Sequence, residues 1–342
     1  MSAAASAWLQ FGLCALMIGV AGTRLSRYGD VIAGKTGMTG GWIGLALLAT
    51  VTSIPELSTG VSAVALAGKP NLAIGNVLGA CVLNLAMLVV VDLLHRGESF
   101  YRRAGVGHVL SASFGIVLGG FVGLNILLAR EGLVPSIGHV GLYTPILIGV
   151  YLVALRTVFA FEARERRAYT EEVAEAVIDR HPGLTLRQAA RRFAAAGAVV
   201  VAAGLWLPFA AGQIADAMGW RQTFVGSLLL AGATTLPELA VTVSAIRLGA
   251  VDMAIGNLLG SNLFNLVVLA VDDLVWLKGP LLSDASPVHV FTSMSALVMT
   301  GIVVIGLLDR PNTRLLRTVG WISLALFTVY LLNSYVLFLH GD

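Results

Sequence analysis

Two apolar stretches each carry a proline followed directly by a glutamate. The first reads ATVTSIPEL from Ala49 to Leu57, and the second AGATTLPEL from Ala231 to Leu239. Each is followed, about 20 residues on, by a second shared block, AIGNVLGACVLNL from Ala73 and AIGNLLGSNLFNL from Ala254. This block stays in register from Ala73/Ala254 to Asp92/Asp273. An offset of about 180 residues is far longer than a solenoid period and indicates a duplicated unit. A carboxylate in a helix at lipid depth costs roughly 2.5–3.5 kcal/mol even on the lenient insertion scale. A chain that places one twice, at matching positions, uses both for the same task.

The surroundings are lipid-like throughout. The chain is 57% hydrophobic and 12% charged, where soluble domains carry about 25% charged residues. That composition excludes a soluble domain, predicts a polytopic protein of the lipid bilayer, and leaves no basis for a nucleic-acid partner. Cys14 and Cys81 both sit in apolar segments, so neither a disulfide framework nor a CxxC metal site is available. The six histidines form no HExxH pattern.

Ten apolar spans follow, at 6–23, 38–67, 71–94, 105–129, 139–161, 193–214, 222–248, 252–277, 287–308 and 317–338. The first lacks the basic leader of a signal peptide and has a counterpart in the sixth, so it reads as a helix. With both termini outside, every lysine and arginine except Lys69, Arg130, Arg221 and Lys278 falls in a cytosolic loop. This positive-inside bias orients the chain in what would be a cytoplasmic (inner) membrane. Five spans separate one repeat from the next, so the second enters the membrane in the opposite sense. The expected fold is an all-α integral membrane protein of ten transmembrane helices, built as two inverted five-helix repeats. Residues 1–161 form the first repeat and 193–342 the second. Residues 162–192 form a charged cytosolic linker with one or two short helices, punctuated by His181-Pro182-Gly183. Glu171, Glu172, Glu175 and Asp179 are candidates there for a regulatory cation site, though nothing further supports one.

The Pro-Glu motif dictates its own chemistry. Pro55 has no N–H and its ring presses on the carbonyl of Val51, so the helix breaks and carbonyls from Ala49 to Thr52 are expected to lose helical partners. In hydrocarbon they need another partner. Thr52 and Ser53 add hydroxyls beside the break, and Glu56 adds a carboxylate. Ala231, Thr234, Thr235, Pro237 and Glu238 repeat the set. Carbonyl, hydroxyl and carboxylate are hard oxygen ligands that suit sodium, calcium or magnesium. In the second block Asn76, Ala80 and Asn84 form one stripe and Asn257, Ser261 and Asn265 another, each at i, i+4, i+8. Gly75 and Gly79, like Gly256 and Gly260, form GxxxG faces for close backbone approach. Asp92 and Asp273 match across the repeats near helix ends and read as structural or entry-path residues. Asp272 has no acidic counterpart and receives no role.

These blocks resemble the alpha repeats of the calcium/cation antiporter superfamily, the sodium/calcium exchanger group. Its pattern is approximately G-[TS]-S-x-P-E followed by G-N-x-x-G-S-N-x-x-[ND]. The alpha motifs here span 38–94 and 220–277. The resemblance implies that Glu56 and Glu238 coordinate calcium and sodium. It also implies supporting roles for the hydroxyls of Thr52, Ser53, Thr234 and Thr235, the carbonyls of Ala49 and Ala231, and Asn84, Asn265 and Ser261. Two departures count. Ala80 and Cys81 stand where the family usually has Ser and Asn, and the last position is Asn in both repeats. A further Glu common in the cation/proton branch is absent, since Val77, Leu78, Leu258 and Leu259 occupy those places.

The expected activity is sodium/calcium antiport by alternating access, with spans 1 and 6 moving against spans 2, 3, 7 and 8. Sodium/proton or calcium/proton exchange through the same glutamates is the alternative. From other classes, an intramembrane enzyme lacks HExxH or DDxxD ligands, and a channel would not move ions against a gradient. The partners are inorganic cations (calcium, sodium and, in the alternative, protons); no cofactor is expected, and the sequence leaves the oligomeric state open.

Overall fold

The computed structural model describes residues 2–36, 48–94, 99–102, 104–169, 183–311, 314–315 and 319–340. Its helices in chain order are α1 (Ala3–Lys35), α2 (Ile54–Leu66), α3 (Pro70–Leu94), α4 (Gly107–Arg130), α5 (Tyr143–Tyr169) and α6 (Leu186–Met218). Then come α7 (Gln222–Thr234), α8 (Leu236–Arg247), α9 (Val251–Val275), α10 (Val288–Asp309) and α11 (Trp321–His340). Among the described residues eight of these are long and apolar enough to cross a bilayer, and the pair α7–α8, bent by 47°, passes the same test when its two helices are taken together. Helix α2 is shorter. It follows helical residues 48–52 across a turn at Ser53, and residues 38–47 of the expected second span lie outside the described residues. The molecule is an all-α membrane protein.

Helices α1 and α6 each have 33 residues, about 50 Å at 1.5 Å per residue, against a hydrocarbon core of about 30 Å. The apolar spans 6–23 and 193–214 capture only their middles. Hydropathy marks lipid depth, whereas the helix continues through good helix formers such as Ala, Arg and Leu until a cap stops it. Ser2 starts α1 by accepting the Ala5 N–H at 3.2 Å. Thr185 and Gln188 start α6 with a reciprocal capping box, and Gly219 ends it at φ 66°. The charged stretch 162–192 is, at both ends, a continuation of α5 and α6 rather than separate short helices. Residues 170–182, including Glu171, Glu172, Glu175, Asp179, His181 and Pro182, lie outside the described residues.

Burial sorts the helices into centre and periphery. The apolar windows of α3 and α9 are 67% and 72% buried, against 22% for α1 and 17% for α5. Helices α3 and α9 pack on each other with an apolar cluster at either end. Leu72, Ile74 and Leu78 meet Leu266 and Leu269 in one; Leu85 and Leu88 meet Leu258 and Leu259 in the other.

Two small antiparallel hairpins precede α5 and α11. They pair β1 (Ser136–Ile137) with β2 (Val140–Gly141), and β3 (Arg314–Leu315) with β4 (Val319–Gly320). Each is pinned by an aspartate at the end of a central helix. Asp273 accepts from the Gly141 N–H at 3.0 Å, the Thr144 hydroxyl at 2.5 Å, the Leu281 N–H at 2.7 Å and the Tyr143 hydroxyl. Asp92 accepts from the Gly320 N–H and the Ser323 hydroxyl, both at 2.8 Å. Both aspartates therefore anchor the first turn of the following outer helix, satisfying N–H groups that have no helical partner.

Candidate cation site

The break in each motif is built locally. Pro55 and Pro237 stand in the first turns of α2 and α8, where a missing N–H is tolerated. Ser53 (φ −89°, ψ 10°) and Thr235 (φ −81°, ψ 5°) form the matching turns. The expectation of orphaned carbonyls at Ala49 and Ala231 is not met. Ala49 O accepts from the Ser53 N–H at 3.1 Å and the Thr52 hydroxyl at 3.0 Å. Ala231 O accepts from the Thr235 N–H at 3.0 Å, the Thr235 hydroxyl at 2.7 Å and the Thr234 hydroxyl at 3.3 Å. The β-hydroxyl residues that the sequence places at the break close it on themselves, so these oxygens reach an ion only if the hydroxyls turn away.

The two motifs interlock rather than forming separate sites. The Ser53 hydroxyl, from the first, donates to Glu238 Oε1 at 3.3 Å, as does Ser261 from α9. Thr52 Oγ1 lies 3.2 Å from Ser261 Oγ and 3.5 Å from Asn257 Oδ1. On the other side Thr234 donates to Asn76 Oδ1 at 3.1 Å and faces Glu56 from beyond hydrogen-bond geometry. Every one of these side chains is buried. Both oxygens of Glu56 and Oε2 of Glu238 have no donor, and the two carboxylates are near enough to repel one another. Bare carboxylates in a buried site are costly until a positive charge neutralises them. Among the described residues no cluster of three or more His, Cys, Asp or Glu could hold a metal, so a cation here would meet two carboxylates and otherwise neutral oxygens.

The asparagine stripe divides on inspection. Asn84 Nδ2 donates to Asn262 Oδ1 at 3.0 Å, and Asn262 Nδ2 returns a bond to the Cys81 carbonyl at 3.1 Å. Asn84 is thus engaged in joining α3 to α9, with only its Oδ1 left unpartnered. Asn265 has neither amide atom partnered. Sequence reasoning left Asn76, Asn257 and Asn262 out of the candidate ligands. The first two meet the hydroxyls and the Glu238 backbone directly, with Asn257 Nδ2 3.5 Å from Glu238 O. Their place at the head of each stripe was the available signal.

Glycines let these helices approach. A Cβ at Gly75 would lie 3.1 Å from Gly226 Cα, and one at Gly79 would collide with the Ser227 backbone. Both contacts fall on a π-helical turn, Val225–Leu230, leading into the second motif. Gly260 meets Ala49 similarly, at 2.9 Å from its Cβ. Helix α1 touches Pro237 through Gly22, and α6 touches Ser58 through Gly204. Each long outer helix therefore leans on the Pro-Glu helix of the other half. A cavity lined by His108, Ser111, Tyr151 and Glu162 reaches Ala49 and Gly260.

Broken helices around a buried, oxygen-lined pair of carboxylates define a class of protein, the membrane-embedded ion transporter. Comparison with known proteins gives the family. The sequence profile of the sodium/calcium exchanger protein family matches residues 6–160 and 190–336. The chain belongs to that family, within the calcium/cation antiporter superfamily, whose members are transporters and not enzymes. It is 27% identical over 303 residues to the putative antiporter CaxA of Alkalimonas amylolytica, covering 86% of this chain and 87% of the relative. Its fold is similar to that of the H+/Ca2+ exchanger CAX, with TM-score 0.71 and 15% identity over 97% of this chain and 86% of that one. It is also similar to the sodium-calcium exchanger NCX_Mj, with TM-score 0.56 and 18% identity over 96% and 97% of the two chains. The protein is thus a cation exchanger of the calcium antiporter type.

Proposed function

We propose that this protein exchanges sodium for calcium by alternating access at one central site formed jointly by the two Pro-Glu motifs. The observation that carries the reading is the pair of buried glutamates. Glu56 with both oxygens bare, and Glu238 with one, are contributed one from each half into a shared set of hydroxyls and amides. Two carboxylates neutralise one divalent or two monovalent cations, so calcium and sodium compete for the same charge. The oxygens offered by Thr52, Ser53, Thr234, Thr235, Ser261, Asn84 and Asn265 and by the carbonyls of Ala49 and Ala231 replace part of the hydration shell, as hard cations require.

The architecture that suits this reading is ten transmembrane helices in two inverted repeats, 1–161 and 193–342, with the termini outside and the loop 162–192 in the cytosol of a cytoplasmic (inner) membrane. The bent pair α7–α8 and the broken segment through α2 support counting spans 7 and 2 among them. The crossed contacts of α1 with Pro237 and of α6 with Ser58 support a switch in which these two helices slide against the core. The cavity that reaches Ala49 from His108 and Glu162 would then serve as the cytosolic approach.

Proton coupling through the same glutamates is the second reading. The bare oxygens favour it, because a proton neutralises an unpartnered carboxylate as effectively as a metal ion does. Uptake of calcium-45 into proteoliposomes, with sodium and proton gradients imposed separately, tests both. An outward sodium gradient should drive uptake against a calcium gradient. Uptake driven by protons alone would replace the first reading with the second, and uptake only down the calcium gradient would make the protein a channel.

A further inference from the structure

Asp272 is wholly buried, and neither of its carboxylate oxygens has a hydrogen-bond donor. Its neighbour Asp273 is saturated by the hairpin and α5, but successive residues on a helix point about 100° apart. Asp272 instead faces α2. Its carboxylate lies flat against Gly60, where an added Cβ would sit 2.5 Å from Oδ2 and 2.6 Å from Oδ1. Gly60 lies four residues beyond Glu56 and so on the same face of α2. The adjoining Thr59 is buried with its hydroxyl unpartnered.

The charged and titratable groups around this end of α9 are committed elsewhere. Tyr143 donates to Asp273. Asp284 accepts from Trp276 Nε1 at 2.7 Å, and His139 Nε2 lies 3.1 Å from the Leu274 carbonyl. Lys278 stacks 4.9 Å from the Trp276 ring centroid, and Lys69 pairs with Asp216 at 3.6 Å. Glu56, one turn along α2, carries the same sign of charge. None of them supplies Asp272 with a counter-charge. The matching positions in the other half are Val91 and Thr242, and Thr242 Oγ1 lies 3.5 Å from Asn257 Nδ2. This feature therefore belongs to one half alone.

We propose that Asp272 is a proton-binding site used in the transport cycle, separate from the central glutamates. A buried charge without donors or counter-ion carries a penalty of several kcal/mol or more. A metal ion needs a shell of about six oxygens, whereas what faces this carboxylate is the Cα of a glycine. A proton needs one oxygen. It adds to Oδ1 or Oδ2 as an O–H bond, removes the charge, and leaves the same way with no electron transferred. The proposal rests on the central site being the cation site, since only then does a protonation event outside it tune exchange.

Infrared spectroscopy of the full chain in lipid, beside transport in the same proteoliposomes, tests it. The parent should show the carbonyl band of a protonated carboxylic acid that is lost in Asp272→Asn and kept in Glu56→Gln and Glu238→Gln. The pH profile of calcium uptake should lose a limb of about tenfold per pH unit, the slope of one proton. Should Asp272→Asn fail to insert, Gly60→Ala drives a methyl into the carboxylate and should shift the same band. An unchanged acid band in Asp272→Asn, or in Gly60→Ala where only that variant inserts, overturns the proposal, and so does a parental pH profile. The infrared arm does not depend on transport, so it still decides the role of Asp272 if the exchange reading fails.

Discussion

Glu238 and Glu56 hold matching positions in the two repeats, yet they sit differently. Glu238 accepts hydroxyl bonds from Ser53 and Ser261, each at 3.3 Å, whereas Glu56 has no donor to either oxygen. The difference traces to two positions. Ser53 reaches across to the opposite glutamate, but its counterpart Thr235 bonds back to the Ala231 carbonyl at 2.7 Å. Ser261 has a hydroxyl to offer, but its counterpart Ala80 has none. Duplication supplied the symmetric frame, and small changes at two sites made the cage lopsided. One carboxylate is held by two hydroxyls, and the other leaves both of its oxygens open.

The largest effect comes from removing either charge. Glu56→Gln and Glu238→Gln should each abolish exchange while leaving the protein inserted, because a dehydrated divalent ion would be left with one compensating charge. Parental calcium uptake by either variant would show that the halves do not share one site. Next is Ser261→Ala, which deletes a bond to a charged acceptor worth roughly 1.5–3 kcal/mol. Half-saturating sodium should rise about ten- to a hundredfold, since each 1.4 kcal/mol is tenfold. An unchanged sodium curve would mean that the Glu238 side is not the completed one.

A gentler comparison contrasts the two helix anchors. Asp273 has four donors and Asp92 accepts from Gly320 and Ser323, so Asp273→Asn should lower the thermal midpoint by a few degrees more than Asp92→Asn. Equal shifts would remove the structural contrast. The smallest effect is expected of Ala80→Ser, which adds the missing oxygen at nearly constant volume. It should raise sodium affinity by about two- to threefold, the worth of roughly 0.5 kcal/mol of net hydrogen bonding, or steepen the Hill slope. Should Ala80 act only in packing, sodium dependence would stay parental.

Much of this was legible in the residues. The Pro-Glu repeats located both helix breaks, and the GxxxG face of α3 marked where it approaches the backbone of Gly226 and Ser227, whereas on α9 Gly260 meets only the Ala49 side chain. What stayed hidden depends on contacts between the halves. The crossing of Ser53 to Glu238 and the pairing of Asn84 with Asn262 need the relative placement of helices about 180 residues apart, which period and composition do not encode. The satisfied carbonyls of Ala49 and Ala231 turn on rotamer choice, since Thr and Ser beside a break can bond back to the chain or reach outward. Helix ends were missed at α1, α5 and α6 because charged helix formers extend a helix past the lipid. The hairpin anchors did leave a trace: Gly141 and Thr144 recur as Gly320 and Ser323 at the same spacing. Asp272 lacked any such mate, and its contact with Gly60 exists only once the two helices are packed.

One shared ion held between two unequal carboxylates has a direct measure, the stoichiometry of calcium-45 bound at equilibrium to the purified chain and to Glu56→Gln and Glu238→Gln. The expected result is one calcium per chain in the parent and loss of that same site in both variants. Two ions per chain, with one lost in each variant, would contradict a shared cage and leave each motif holding its own cation.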